Sequence, residues 1–295
     1  MNDSKTPTRL IAQRAKAARL AHERLAVRRV RITGCRSLKP PCVSLSVIVI
    51  AKNEAAVIRR CLESVAWADE IIVLDSGSTD ATVEICRACG ARVEATADWP
   101  GFGAQKNRAL ALATGEWVLS IDADELVTEG LRAEIQAAMA TPGADGAFRM
   151  PRRSSYCGRF MRHSGWWPDY VTRLFRRGQA RFSDNLVHES VIADGPVGTL
   201  RAPLMHESCR DLEEVLAKVN AYSSAGAAMA SQQGRRASLR GAVLRGLWSF
   251  FRAYFLRAGF LDGREGFMLA VSNAEATYYR YAKLTLLAGR EKHEE

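Results

Sequence analysis

The sequence has no run of about 18 uncharged apolar residues, so nothing in it reads as a membrane span. No G-x-G-x-x-G follows its first apolar stretch, and no G-x-x-x-x-G-K-[ST] occurs anywhere, which argues against a dinucleotide-dependent dehydrogenase and a P-loop NTPase. Its seven cysteines keep no regular spacing, and a chain of 295 residues has length enough for a core without staples. They read as reduced thiols of a cytosolic protein. Cys86-x-x-Cys89 has no partner pair, so zinc is not expected. The opening residues are polar and lack the apolar centre of a secretory leader. Acid is also in short supply: 32 acidic against 42 basic side chains leave a net charge of +10. Such an excess points to an anionic partner, whether nucleic acid, a membrane surface or a phosphorylated substrate.

What is present divides into three regions. Residues 1–43 form a basic N-terminal arm; between Arg9 and Arg31 eight basic side chains accompany one acid, Glu23. The arm is either a solvated extension or a segment lying on anionic lipid. "LKPPC" (38–42) ends any helix there. Residues 44–210 are expected to be the catalytic domain, with halves 44–125 and 126–210, and residues 211–295 a helical C-terminal region. "LSVIVIAKNE" (45–54) is β-branched almost throughout, as in a strand buried on both faces of a parallel sheet. Strands are also predicted at 69–75, 91–95 and 116–125, with helices at 54–65, 81–90 and 104–115. Four alternations in this span predict an α/β fold with a mainly parallel, Rossmann-like sheet flanked by helices.

In open α/β sheets ligands bind beyond the carboxyl ends of the strands. Ala51, Lys52, Asn53 and Glu54 follow the first strand, Asp75 to Asp80 the second, and Asp122-Ala-Asp124 with Glu125 the fourth. Buried carboxylates are costly unless they are paired or bound to metal. On extended backbone, residues i and i+2 share a side, so Asp122 and Asp124 are both expected to approach one divalent ion. Hard cations such as Mg²⁺ and Mn²⁺ take such oxygens together with substrate phosphates. Asp75 directly follows an apolar run, where a carboxylate can accept bonds from a ribose or base.

"VIVIAKNE", "ADEIIVLDSGSTD", "GFGAQKNRAL" and "GEWVLSIDADE", in this order and spacing, resemble the family 2 glycosyltransferases with the GT-A fold. Further on, "HSGWWPDYVTRLFRRG", "VHE", "PLMHES" and "FFRAYFLRAGFLDGREGF" are similar to the lipopolysaccharide inner-core glucosyltransferases, a match covering nearly all of 44–288. The resemblance implies an inverting transfer from a nucleotide-activated sugar, usually a UDP-sugar, with Mg²⁺ or Mn²⁺. It implies a lipid A–core acceptor, with the sugar, glucose by this likeness, placed on heptose at the cytoplasmic face of the inner membrane. By position, Ala51, Asn53 and Glu54 would line the nucleotide pocket, and Asp75 would hold uracil or ribose. Asp122 and Asp124 match the metal-binding D-x-D. Gln105 and Lys106 would lie by the diphosphate or sugar, although a solvated lysine on a helix face fits Lys106 equally well. His206 would be a third metal or diphosphate ligand, or a buried structural histidine.

An inverting transfer needs a base for the acceptor hydroxyl. Glu189 is the first choice, with Asp184 and Asp169 behind it and His188 either orienting the site or structural. The familiar E-D pair is absent from "NLVHESV". Trp166 and Trp167 either wall a sugar site or belong to the core. Leu244, Leu247, Trp248, Phe251, Tyr254, Phe255 and Ala258 share a broad helical face, predicted either to lie on an anionic membrane surface or to pack inward. The basic clusters "MPRRSSY", "RLFRRG" and "QGRRASLRG" could meet acceptor phosphates. Within the same class the alternative is another sugar on another lipid-linked or polysaccharide acceptor. From other classes, an inactive scaffold would keep the fold, and a basic nucleic-acid-binding module would explain the charge but not the acids at two strand ends, and no nucleic-acid motif appears. Oligomeric state is not legible.

Overall fold

The computed structural model describes residues 43–141, 143, 145–183 and 190–291. Four strands lie parallel in the order 3-2-1-4: β1 (Leu45–Ala51), β2 (Glu70–Asp75), β3 (Arg92–Ala95) and β4 (Trp117–Ser120). Every residue of β1 is buried, as its β-branched run requires. Its side chains alternate across the sheet. Val47 and Val49 pack with Ile58, Cys61 and Leu62 of α1 (Ile58–Ser64) and Cys86 of α2 (Thr82–Ala88). Ile48 and Ile50 pack on the other side with Ala109 of α3 (Phe102–Leu112). Gly115, the last residue of the helix predicted over 104–115, lies beyond the end of α3 and has a different task. A Cβ there would stand 2.7 Å from the Ser46 nitrogen, so only glycine lets this turn close against β1.

The fourth strand departs from expectation. It ends at Ser120, the chain turns over Asp122–Asp124, and it re-enters the sheet as β5 (Glu125–Val127). The turn is closed from both ends: the Glu125 N–H donates to the Asp122 carbonyl and the Asp122 N–H donates to Glu125 Oε2, each at 3.0 Å. Asp122 and Asp124 therefore do not share one side of an extended strand. Residues 126–146, to which no predicted element fell, contain α4 (Glu129–Ala140), capped by Thr128 Oγ1, which accepts from the Leu131 N–H at 3.2 Å.

Beyond β4 the sheet becomes mixed. β8 (Asp169–Arg176) runs antiparallel to β4 and to the long β6 (Ala147–Tyr156), β12 (Leu204–Cys209) runs parallel to β6, and β5 closes against β12. Short β7 (Arg159–Phe160) and β11 (Val197–Thr199) attach to β6, while β9 (Ala180–Phe182) and β10 (Val191–Ala193) form an antiparallel pair of their own. The result is an α/β fold with a mixed, mostly parallel sheet. The C-terminal extension is helical: α5 (Leu212–Gln232), α6 (Leu239–Phe251), a π turn at Arg252–Leu256, a 3-10 turn at Gly259–Asp262, and α7 (Gly263–Glu291), against which α5 and α6 both pack. Among the described residues no helix is long and apolar enough to cross a membrane.

Candidate active site

The turn after β4 gathers a cluster of charged groups. The Asp122 carboxylate is gripped by two cations. Lys106 Nζ, on α3 and only 1% exposed, stands 2.7 Å from Oδ1, and the Arg173 guanidinium on β8 bonds Oδ2. Burial alone would raise the Asp122 pKa, but the Arg173 and Lys106 charges outweigh it and hold the carboxyl well below the usual carboxylate range. Arg173 also donates to Glu125 Oε1 at 2.7 Å, and Arg152 of β6 approaches the same oxygen at 3.6 Å. Glu125 is wholly buried (0% exposed), so it serves as an internal counter-ion. Two of the three carboxylates of "SIDADE" are thus balanced by protein cations.

Asp124 points elsewhere. Its Oδ2 lies 3.3 Å from Nε2 of His206 on β12, and His206 Nδ1 shares a hydrogen bond with Ser154 Oγ at 2.8 Å. That bond orients the ring with Nε2 toward Asp124, as the outer partner of a ligating histidine does. Asp124 and His206 face a cavity of about 510 Å³ together with Glu54, Asp122, Trp166 and Tyr222. A smaller cavity of about 300 Å³ adjoins it through Ile50, Glu54 and Phe102 and is lined by Ala51 and Lys52. A third, of about 550 Å³, shares Asp122, His206 and Tyr222 with the first and extends along Arg152, Thr172 and Arg173. These spaces lie at the carboxyl ends of β1 and β4, where a ligand of such a sheet is expected.

The donor chemistry of Asp124 and His206, one carboxylate oxygen and one imidazole nitrogen, fits a hard or borderline divalent cation completed by substrate oxygens. It does not make an all-protein cage. Among the described residues no group of three or more His, Cys, Asp or Glu side chains is placed to hold a metal, and Asp122, expected with Asp124 as the D-x-D ligand pair, is bound to Lys106 and Arg173 instead.

The other expected residues fall into two groups. Glu54 lines both the 510 Å³ and the 300 Å³ cavities, and its pKa is pushed up to about 7, first by burial and then by the Asp124 charge. Asp75 is buried, and its carboxylate accepts from the Gly77 and Ser78 N–H groups (3.0 and 2.9 Å) and from Ser78 Oγ (2.5 Å). Asn53 adopts a left-handed φ of 58°, and its Oδ1 accepts from the Thr79 N–H at 2.8 Å. Gln105 Nε2 donates to Ser76 Oγ and Thr96 Oγ1 (2.8 and 2.7 Å). Asp75, Asn53 and Gln105 thereby fix the loops that follow β1, β2 and β3, an arrangement that spacing alone does not reveal. Asp169 is paired with Arg152 at 2.7 Å. Trp166 lines the main cavity and its ring lies 6.0 Å from that of Tyr156, while Trp167 lies beneath the Arg153 guanidinium. Asp184, His188 and Glu189 lie outside the described residues.

The raised Glu54 pKa yields a pH test. Its unfolded value is the ordinary 4.5, so its contribution to stability is fully present below about 4.5 and is lost as pH rises through about 7. Glu54→Gln is expected to flatten the decline in denaturant stability between pH 5 and 8 by about 1–2 kcal/mol, after discounting for the half-exposed side chain. Parallel pH–stability curves for the two proteins would refute the assignment.

Sequence reasoning missed Arg173. Its signal was weak: it sits in "RLFRRG", a cluster expected to meet substrate phosphates. Arg176 of that cluster pairs with Glu116, and Arg177 donates to the Gly115 carbonyl at 2.9 Å. These cations are consumed within the fold.

Comparison with known proteins identifies the family. The family model described as glycosyl transferase family 2 matches residues 46–194. An uncharacterized glycosyltransferase of Rickettsia bellii is 34% identical over 256 residues, which is 83% of this chain and 87% of the relative. The lipopolysaccharide core biosynthesis glycosyltransferase LpsC of Rhizobium meliloti is 30% identical over 255 residues, 83% of this chain and 93% of the relative. Among solved structures, TarS 1-349 of S. aureus is similar with a TM-score of 0.45 at 15% identity, covering 85% of this chain and 92% of that one, a likeness that bears on no ligand. The family match takes in β1 to β4 and the "SIDADE" turn, and the two relatives extend it over most of the chain: it belongs to glycosyl transferase family 2.

Proposed function

We propose that this transferase moves a hexose, with glucose the first candidate, from a UDP-sugar to a heptose of the lipopolysaccharide inner core, with inversion, at the cytoplasmic face of a membrane. The observation that carries the donor side is the arrangement at the strand ends: Asp124 and His206 face a cavity that continues to Ala51 and Glu54. The acceptor class draws support from the 30% identity to a relative whose name states lipopolysaccharide core biosynthesis.

In this reading Glu54, Ala51 and the loop fixed by Asp75 border the nucleoside. Lys106 and Arg173 hold Asp122 ionised and immobile, so that its carboxylate keeps a preset position as charge moves in the transition state. Asp124 and His206 would hold a divalent cation, Mg²⁺ or Mn²⁺, which when bound neutralises charge on the departing diphosphate. Ser154 keeps the His206 ring turned to that position. The acceptor base is proposed from the sequence: Glu189, with Asp184 and the Arg152-paired Asp169 behind it and His188 orienting the site.

A thermal-shift screen tests the donor class. UDP or one UDP-sugar with Mn²⁺, at about a hundredfold excess over Kd, is expected to raise Tm by roughly 5–10 °C, since such binding adds about 2.7 kcal/mol. EDTA is expected to remove most of the rise. A response to GDP or CMP alone would move the donor to another class, and no response to any nucleotide in folded protein would overturn the reading.

A further inference from the structure

Helix α6 is built inside out. The residues it buries are small: Ala242 and Gly246, and a Cβ on Gly246 would stand 3.2 Å from the Ala274 carbonyl oxygen and 3.3 Å from Tyr278 Cβ of α7. Of its large apolar residues Phe250 is partly buried, while Leu239, Val243, Leu244, Leu247, Trp248 and Phe251 face outward, Leu247 64% and Trp248 56% exposed. The spacing 239, 243, 247, 251 is one stripe of a 3.6-residue helix. The exposed surface continues past the helix through Phe255, Leu256, Phe260 and Leu261. A soluble helix buries such a stripe; one that exposes it has an apolar partner.

The charge around this face selects the partner. Between 235 and 262 the chain carries six arginines, all exposed, and a single acid, Asp262; Arg264, just beyond, is paired with Glu265. Asp262 is buried and accepts the backbone N–H groups of Arg162 and His163. Two copies of the chain pressed together through this face would bring both sets of arginines into one interface. Anionic headgroups would complement them, and an aromatic such as Trp248 among arginines and leucines is the composition of an interfacial helix.

The face is also continuous with the site. Phe250 and Tyr254 each place their rings 5.6 Å from that of Phe267 on α7, and Leu269 and Ser272 of the same helix line the main cavity.

We propose that α6 and the two turns after it, Leu239–Asp262, form the membrane-docking surface of the enzyme, with the apolar stripe inserted at the headgroup boundary of an anionic bilayer and the arginines on its phosphates. This deepens the transfer reading by naming which surface meets the lipid that carries the acceptor, and it rests on that reading only for the identity of that lipid.

The test uses the full chain without donor or acceptor. Binding to phosphatidylcholine vesicles containing phosphatidylglycerol is expected, with much weaker binding to pure phosphatidylcholine. Leu247→Glu combined with Trp248→Glu is expected to weaken it roughly tenfold or more, because each buried side chain of this size is worth over a factor of ten. Since the basic arm of residues 1–43 could also attract lipid, a site-specific reading is added: brominated phosphatidylglycerol vesicles are expected to quench tryptophan fluorescence, and Trp248→Phe to abolish most of that quenching while keeping binding. Absence of binding, or quenching unchanged by Trp248→Phe, would overturn the proposal. So would a concentration-dependent dimer that the double variant dissolves, which would assign the face to a second copy. Protein that responds to UDP but ignores vesicles refutes the docking surface alone; protein that binds vesicles but no nucleotide refutes the transfer reading alone.

Discussion

Arg173→Met is expected to lose about 3–5 kcal/mol of stability, because it strips the cation from a buried ionic cluster and leaves its acids behind. For a chain of this size that is a fall in Tm on the order of 6–20 °C. The reasoning is local. Arg173 is 6% exposed and joins Glu125 and Asp122 through one nitrogen, Nη2. Without it, the wholly buried Glu125 keeps Arg152, whose nearest approach is 3.6 Å, and Asp122 keeps Lys106. Neither substitute spans both acids. Pairing the variant with Glu125→Gln is expected to recover a substantial part of the loss, since the uncompensated charge disappears with it. A double-mutant cycle monitored by urea unfolding isolates this coupling. A loss below 1 kcal/mol for Arg173→Met alone would mean that the turn after β4 does not depend on this pair.

The same cluster shows where sequence reading succeeds and where it stops. The parallel half of the sheet was legible because its signal is local: β1 is a β-branched run buried on both faces, and such a run has few other uses. The acids at the strand ends were legible for the same reason. Their directions were not. Asp122 and Asp124 look like neighbours on a strand, but the reciprocal bonds between Asp122 and Glu125 bend the chain, sending one carboxylate to Lys106 and Arg173 and the other to His206. The partners lie 16 to 82 positions away along the chain, beyond the reach of any periodicity. For the same reason the acids that Arg152 and Arg173 pair with, Asp169, Glu125 and Asp122, were not legible beside them. The exposed stripe of α6 was visible as a helical face, but two readings fitted it, and only the burial of Ala242 and Gly246 decides which side faces the core.

Asp124→Asn is expected to lower transfer about 10²–10³-fold, the usual cost of removing one group that offsets developing charge, while moving Tm by no more than about 2 °C. The small structural effect follows from its contacts. Among the described residues the ion pair of the Asp124 carboxylate is with His206, and the bond that ties Asp124 to β12 uses its carbonyl oxygen, which accepts from the Glu207 N–H at 2.9 Å and survives the substitution. Asp122→Asn, by contrast, is expected to reduce both activity and stability, because Lys106 and Arg173 both lose their charge partner. The outer positions should grade downward from there. His206→Ala removes the imidazole itself, whereas Ser154→Ala removes only the bond that turns the ring and is expected to cost about 10-fold, within the range for a residue that orients a ligating histidine. Steady-state rates with a UDP-sugar and the matching unfolding curves, taken on the same four variants, check the order. Full turnover in Asp124→Asn would remove Asp124 from the donor site. Equal losses of stability in Asp124→Asn and Asp122→Asn would mean that both acids serve the fold, leaving the Asp124 and His206 pair without the proposed role at the cavity it lines.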